Sequence, residues 1–253
     1  MSALAPACGN HLLEALRTDE YLRLLPDLEP VAQARGQVLE QPGCRARHAY
    51  FPTSAIVSLV CTMKNGASAE IALTGCDGLV GVSLFMGGDG STSSAIVQVP
   101  GQGLRIAAGV LKSEFALGRA LQALALRYTL ALMVQIGQTA VCNRHHKLDQ
   151  QLCRRLLLGL DRMGGDELCM TQKAIAGILG VRREGVTTAA RKLQADGLIR
   201  WSRGRIEVLD RPRLEQRACE CYGSARSPKP AVAAGTERSP CLGHGLRRPD
   251  RPR

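Results

Sequence analysis

The chain has 253 residues, enough for two modest domains, and its 45% hydrophobic content implies a core of Leu, Ile, Val and Ala, because aromatics are only 3%. A net charge of +11 points to a polyanionic partner, nucleic acid or an anionic membrane, without choosing between them. No basic leader with an apolar block opens the chain, and the most apolar stretch, 117–136, is interrupted by Arg119, Gln122, Arg127 and Gln135, so secretion and membrane spanning are not expected and a cytoplasmic location is.

The segment from Gly9 to Leu25 reads as one or two short helices, with Pro26 and Pro30 as breakers. From Val31 to Ala108, β-branched runs alternate with Gly and Pro punctuation: "GQVL", "SAIVSLVCTM", "SAEIAL", "SSAIVQV" and "GLRIAA". Asn65-Gly66 between the second and third is a hairpin signal. Short strands at this spacing predict an antiparallel barrel or jelly roll. From Leu111 to His146 the period turns helical, with Ser113 as the expected N-cap. Leu117, Leu121, Leu124 and Tyr128 form one stripe; Ala123, Leu126, Leu130 and Val134 form another. A helix apolar on two sides has two surfaces to meet, its own β domain and a twin helix. A further helix is expected over Leu148–Met163, and "GGDELC" reads as a loop.

Next comes "MTQKAIAGILGVRREGVTTAARKLQADGLIRWSRGRIEVLD". Thr171 is the N-cap of a helix with Ala174, Ile175, Ile178 and Leu179 on its apolar face, Gly180 makes a turn, and a second helix spans Arg182 to Ala195. A strand, a Gly204 turn and a strand follow, then one last short helix within "RPRLEQRACECYG". This is the order of a winged helix–turn–helix. At about 100° per residue, Ala190 and Leu193 fall within about 40° of Val186. Glu184, Thr187, Thr188, Arg191 and Lys192 lie on the other side. The apolar side must dock inward, which leaves a polar side to meet a groove. Arg182 and Arg183 open the helix at the end such helices push toward base edges. Arginine pairs with guanine, glutamate accepts from the cytosine amino group, and threonine is adaptable. Arg200, Arg203 and Arg205 of the wing suit phosphate contact. After Gly223 the chain is rich in Pro, Arg and Gly; residues 224–253 carry seven Lys/Arg and two acids and are read as disordered.

"TQKAIAGILGVRREGVTTAARKLQADGLI" resembles the helix–turn–helix of the Crp/Fnr family of bacterial transcription regulators, whose "R-E-x-V" stretch stands here as Arg183-Glu184-Gly185-Val186. The order of β region, glycine-spaced turn, long helix and winged end also resembles that family. The resemblance implies an α+β chain. An antiparallel, jelly-roll-like β-roll of the cyclic-nucleotide-binding type, with N-terminal helices, would occupy 1–110. A long dimerisation helix would occupy 111–146, a winged helix–turn–helix 147–222 and a basic tail 223–253. It implies a homodimer through 113–140 on a palindromic promoter site of double-stranded DNA, with RNA polymerase and an unidentified small effector as further partners. By the same resemblance Arg183, Glu184 and Thr188 read bases, with Thr187 beside them. Thr171, Arg182, Arg191, Lys192, Arg200, Arg203 and Arg205 then face the DNA backbone, and Arg182 suits either role.

The effector pocket implied by the family would be lined by Gly81, Val82, Ser83, Ser93 and Ser94. Members that bind cyclic AMP place a Glu where Val82 stands and an Arg where Ser93 stands. A cyclic phosphate would meet no fixed positive charge here, so no cyclic-nucleotide binding of the usual kind is expected. Oxygen-sensing members use closely spaced N-terminal cysteines, and this chain has only Cys8 there. The ten cysteines are scattered without paired C-x-x-C motifs, so reduced thiols are expected, with no metal and no cofactor. Cys142, His145 and His146 in "CNRHHKLD" serve more simply as a hinge or phosphate contact than as a metal, haem or thiol sensor. Cys219-Glu220-Cys221 lacks the usual zinc spacing. No catalytic constellation is read. Glu70, Asp77 and Asp89 have no histidine partner nearby in sequence, so an enzyme with an appended winged domain is the weakest alternative.

Overall fold

The computed structural model describes residues 8–88, 90–163 and 165–225. The predicted tail from 226 onward, and Asp89, lie outside them. Two short helices come first among the described residues, α1 (His11–Glu14) and α2 (Thr18–Leu24). The Asn10 side-chain oxygen accepts from the N–H groups of Leu12 and Leu13 and so caps α1. Its amide donates to the carbonyls of Pro52 (2.8 Å) and Gly78 (2.9 Å), which ties α1 to the β region.

The β-branched runs form β1 (Glu29–Gln33), β2 (Val38–Glu40), β3 (His48–Pro52), β4 (Ile56–Thr62), β5 (Ser68–Thr74), β6 (Ser94–Val99) and β7 (Gly101–Ala107). They pair antiparallel in two sheets, ordered β1-β7-β3 and β2-β6-β4-β5. The helical segment ends at Pro26 and Pro30 as expected; Pro30 itself lies in β1, an edge strand, where proline is tolerated. Asn65-Gly66 turns β4 into β5, with Gly66 at φ +83°. Pro100 hands the chain from β6 in one sheet to β7 in the other.

The single helix expected from Leu111 to His146 is two: α3 (Ala108–Ala116) and α4 (Ala120–His145). Gly118, at φ +67°, makes the break. Ser113 therefore lies inside α3 and caps nothing. The start of α4 is held by a residue from another element: the Glu20 carboxylate accepts from the N–H groups of Ala120 (3.2 Å) and Leu121 (3.1 Å). A carboxylate there also complements the helix dipole.

One side of α4 buries Leu121, Leu124, Ala125 and Leu132. Gln135 on that side accepts from the Leu73 N–H (2.7 Å) and donates to the Leu73 carbonyl (3.2 Å), so α4 covers the open edge of β5. Tyr128 meets Thr74 at 2.7 Å, and its ring lies over Gly78, where an added Cβ would fall 2.0 Å from a ring carbon. By length and hydropathy α4 is apolar enough to cross a membrane, yet this packing commits one side of it to the β domain. The other side exposes Leu126, Leu130, Met133, Val134 and Val141.

The remainder comprises α5 (Leu148–Met163), β8 (Glu167–Cys169), α6 (Gln172–Leu179), α7 (Arg183–Ala195), β9 (Ile199–Ser202), β10 (Arg205–Val208), α8 (Arg211–Arg217) and α9 (Cys221–Ala225). Two corrections arise here. "GGDELC" is not all loop, because its last three residues form β8, which pairs with β10 as the third strand of the wing. The final stretch holds two short helices rather than one.

A single core runs from Ile56, Leu73 and Val99 of the β sheets through Leu152 and Leu156 of α5 to Val186 and Leu193 of α7. Two ion pairs cross the same junction: Arg155–Glu70 at 2.7 Å, with Ser58 also bonded to Glu70, and Arg162–Asp77 at 3.0 Å. Glu70 and Asp77, weighed above as catalytic carboxylates, are the partners of these arginines.

Candidate nucleic-acid interface

Local chemistry builds the helix–turn–helix. The Thr171 hydroxyl accepts from the Ala174 N–H at 3.2 Å and starts α6. Gly180 ends it at φ +64°, with its Cα side against β5, where an added Cβ would lie 3.3 Å from Ala69. Val186, Ala190 and Leu193 are wholly buried, and Ala189 nearly so, so α7 is seated by the side that the helical period assigned to the interior. Arg182, Arg183, Glu184, Thr188, Arg191 and Lys192 are exposed. Arg182 is the N-cap residue and α7 begins at Arg183.

Thr187 differs from the other expected base readers. It is half-buried, and its hydroxyl donates to Gln172 Oε1 at 2.7 Å, with the Arg183 carbonyl 3.0 Å away. The side chain braces α7 on α6. The Thr188 hydroxyl bonds back to the Glu184 carbonyl at 3.0 Å but stays on the open side.

The three wing arginines separate. Arg203 (φ +48°) and Gly204 (φ +81°) form the two-residue turn between β9 and β10, both in the left-handed region as such hairpins demand. Arg203 is exposed and has no acidic partner among the described residues. Arg200 is paired with Glu207 at 2.7 Å, and Arg205 holds Glu167 with two hydrogen bonds, 2.6 and 2.9 Å. The Arg205 hydrogen bond holds the Glu167 carboxyl below its ordinary value. Exposed pairs of this kind are worth about 0–1 kcal/mol, so a phosphate can displace the carboxylate.

Thr171, Lys173, Arg183, Trp201 and Arg203 line one open depression where α6, α7 and the wing meet. Sequence reasoning passed over Gln172, Lys173 and Trp201. Their signal was position: the first two follow the N-cap of α6, and Trp201 lies two residues from the wing tip.

In the β region, Val82 opens a 3-10 turn after Gly81 (φ +120°) and packs against the apolar cluster that contains Leu84. Ser83 carries a buried hydroxyl without a partner among the described residues. Ser93 is buried with its hydroxyl 3.2 Å from that of Ser91, and Ser94 begins β6. None of the five residues Gly81, Val82, Ser83, Ser93 and Ser94 offers a ligand a charge.

The two cysteine motifs, read as separate in sequence, converge. Cys142, His146, Cys219 and Cys221 present donor atoms all within 4.8 Å of one another. His145 is exposed and outside the group.

Residues 150–217 match the family model described as a Crp-like helix-turn-helix domain. Solved structures share the fold over about three quarters or more of the chain. A transcriptional regulator of the Crp/Fnr family from Eubacterium rectale is 20% identical with a TM-score of 0.62, over 81% of this chain and 96% of its own. FixK2 from Bradyrhizobium japonicum is 15% identical with a TM-score of 0.61, over 76% and 98%. A CRP-family transcriptional regulator from Thermus thermophilus is 18% identical with a TM-score of 0.61, over 75% and 96%. No curated protein matches the sequence.

Proposed function

We propose that this chain, whose residues 150–217 are a Crp-like helix-turn-helix domain on the fold of Crp/Fnr regulators, is a sequence-specific transcription regulator that binds double-stranded DNA as a homodimer. One observation carries the reading. The polar side of α7 is exposed while its apolar side is fully seated, and Arg203 stands beside it at the wing tip. Arg183, Glu184 and Thr188 read base edges. Arg182, Arg191, Lys192, Arg203 and Thr171 hold phosphates, and Arg200 and Arg205 join them by exchanging their carboxylate partners. The exposed stripe of α4 meets the same stripe of a second copy, which sets two α7 helices about 34 Å apart for successive major grooves of a palindromic site. The protein works in the cytoplasm beside RNA polymerase. Its β-roll does not take a cyclic nucleotide in the usual way, because Val82 and the buried, hydrogen-bonded Ser93 stand where a ribose and a phosphate need acidic and basic partners.

Selection from random DNA followed by gel shifts tests this. The wild-type chain enriches a palindrome. Arg183→Ala weakens cognate binding by about 1–3 kcal/mol and relaxes preference at one base pair. Arg203→Ala weakens cognate and random DNA alike and lowers the salt slope by about one. If the two variants behave alike the role assignment fails, and if no sequence is enriched the regulator reading fails with it.

A further inference from the structure

The C-terminal end of α4 and the start of α9 meet at a cluster of soft ligands that DNA binding does not use. Cys142 and His146 lie one helical turn apart and so face the same way. The link after α8 and the first residue of α9 set Cys219 and Cys221 against them. Cys142 Sγ is 3.5 Å from Cys219 Sγ, and Cys221 Sγ is 3.5 Å from His146 Nδ1. The three cysteines form a buried cluster of their own. We propose that Cys142, His146, Cys219 and Cys221 bind a single thiophilic divalent cation, Zn²⁺, in a tetrahedral Cys₃His site that clasps α9 to the end of α4.

The spacing matches one ion. Ligand bonds of about 2.0–2.3 Å put neighbouring donors of a tetrahedron about 3.3–3.8 Å apart. The Cys142–Cys219 and Cys221–His146 separations, 3.5 Å each, fall in that window, and the whole donor set spans no more than 4.8 Å. An iron–sulfur cluster, whose thiolates must surround a core of several atoms, does not fit that span. Three thiolates and one imidazole are also the donors that zinc prefers.

The surroundings are arranged as they are around bound zinc. With Nδ1 facing the cysteines, His146 turns Nε2 to Glu220 Oε1 at 3.2 Å, the carboxylate–imidazole contact that orients a metal-bound histidine. Gln138 Nε2 donates to Cys221 Sγ at 2.9 Å, a contact that favours thiolate. Gln151 Nε2 donates to the carbonyls of Cys142 (3.3 Å) and His146 (2.9 Å) and holds the backbone of both ligands. Three thiolates on a divalent cation leave one negative charge. Arg154, buried on α5 with its Nε unpartnered among the described residues and its Nη2 donating to Thr139 of α4 at 3.0 Å, supplies the compensating one. Binding releases the thiol protons to solvent, and no oxidant or reductant is consumed.

Placement gives the clasp its consequence. α9 packs on both α4 and α5, and Tyr222 in α9 bonds Asp161 of α5 at 3.0 Å. The ion therefore pins the last helix of the DNA-binding part to the end of the long helix from which that part hangs.

The metal is measured on the reduced, full-length chain without DNA, so its outcome is separate from that of the DNA-binding reading. Elemental analysis should find one zinc per chain. Cobalt replacement should give thiolate-to-cobalt charge-transfer absorption with tetrahedral ligand-field bands. Cys221→Ser and His146→Ala should abolish both signals, whereas Glu220→Gln should weaken zinc about 10–100-fold in competition with a chromophoric chelator. His145→Ala and Cys61→Ser, at exposed positions, should change nothing. The wild-type titration keeps the test decisive should a ligand variant fail to fold. A reduced wild-type chain that takes up neither zinc nor cobalt, cobalt spectra without thiolate charge transfer, or a Cys142–Cys219 disulfide in place of metal uptake would overturn the proposal.

Discussion

Glu40 lies in β2, nearly buried, with one carboxylate oxygen lacking a partner among the described residues. Burial pushes its carboxyl from 4.5 up to about 6. A carboxyl raised on folding binds more protons in the native state between those values, so stability falls as pH rises through that window and the loss is complete above it. Glu40→Gln should therefore be neutral near about pH 4 and stabilising by about 1–2 kcal/mol at neutral pH; denaturant melts at both pH values check it, and a pH-independent difference would refute the cause. Thr187 shows the limit of a helical wheel. Its angle sets it on the outer side of α7, but the reach of Gln172 turns its hydroxyl inward. Thr187→Val should cost about 1 kcal/mol of stability and leave base preference unchanged in binding-site selection; an altered preference would restore it as a base reader.

Three helices of the winged part, α5, α6 and α7, were legible because their signals are local. The bounds of α5, the Thr171 cap and the Gly180 turn all follow from period and capping chemistry. The break between α3 and α4 was not, because the apolar period runs across Gly118 and the group that holds the start of α4, Glu20, is 100 residues away. In α4 the two apolar stripes met different fates. Leu121 and Leu124 are covered, whereas Leu130 and Met133 are each 62% exposed. An apolar stripe of this kind on a helix calls for a partner. Leu130→Glu should leave the monomer folded, since that side chain is mostly exposed in it, but convert a dimer to a monomer by light scattering and abolish specific DNA binding. A variant that stays dimeric would locate the interface elsewhere.

Across the whole molecule, one apolar cluster joins the four-stranded sheet of the β-roll to the winged part through α5, while the β-roll keeps clusters of its own. Arg155 is 3% and Glu70 7% exposed, so neither charge can be rehydrated if its partner is lost. Glu70→Gln should cost about 3–5 kcal/mol, whereas replacing both residues by apolar side chains of similar volume should recover most of it, because an unpaired buried charge is far costlier than a missing pair. Thermal melts of the single and double variants measure the difference; equal losses would mean the pair contributes only packing.

The amino-acid sequence by itself determined the order of β region, long helical stretch and winged part, and which side of α7 is interior. Strand alternation, helical period, caps and turn glycines act over a few residues and need no partner. Only the tertiary structure decided which charged groups remain open to DNA. Arg203 and Arg205 look alike in sequence, but Glu167, 38 residues before Arg205, occupies one of them. It also decided that Cys142 and Cys219, 77 residues apart, share one site. The donor types were legible in the sequence, but their convergence depends on how α9 packs against α4, a long-range contact that no local period encodes.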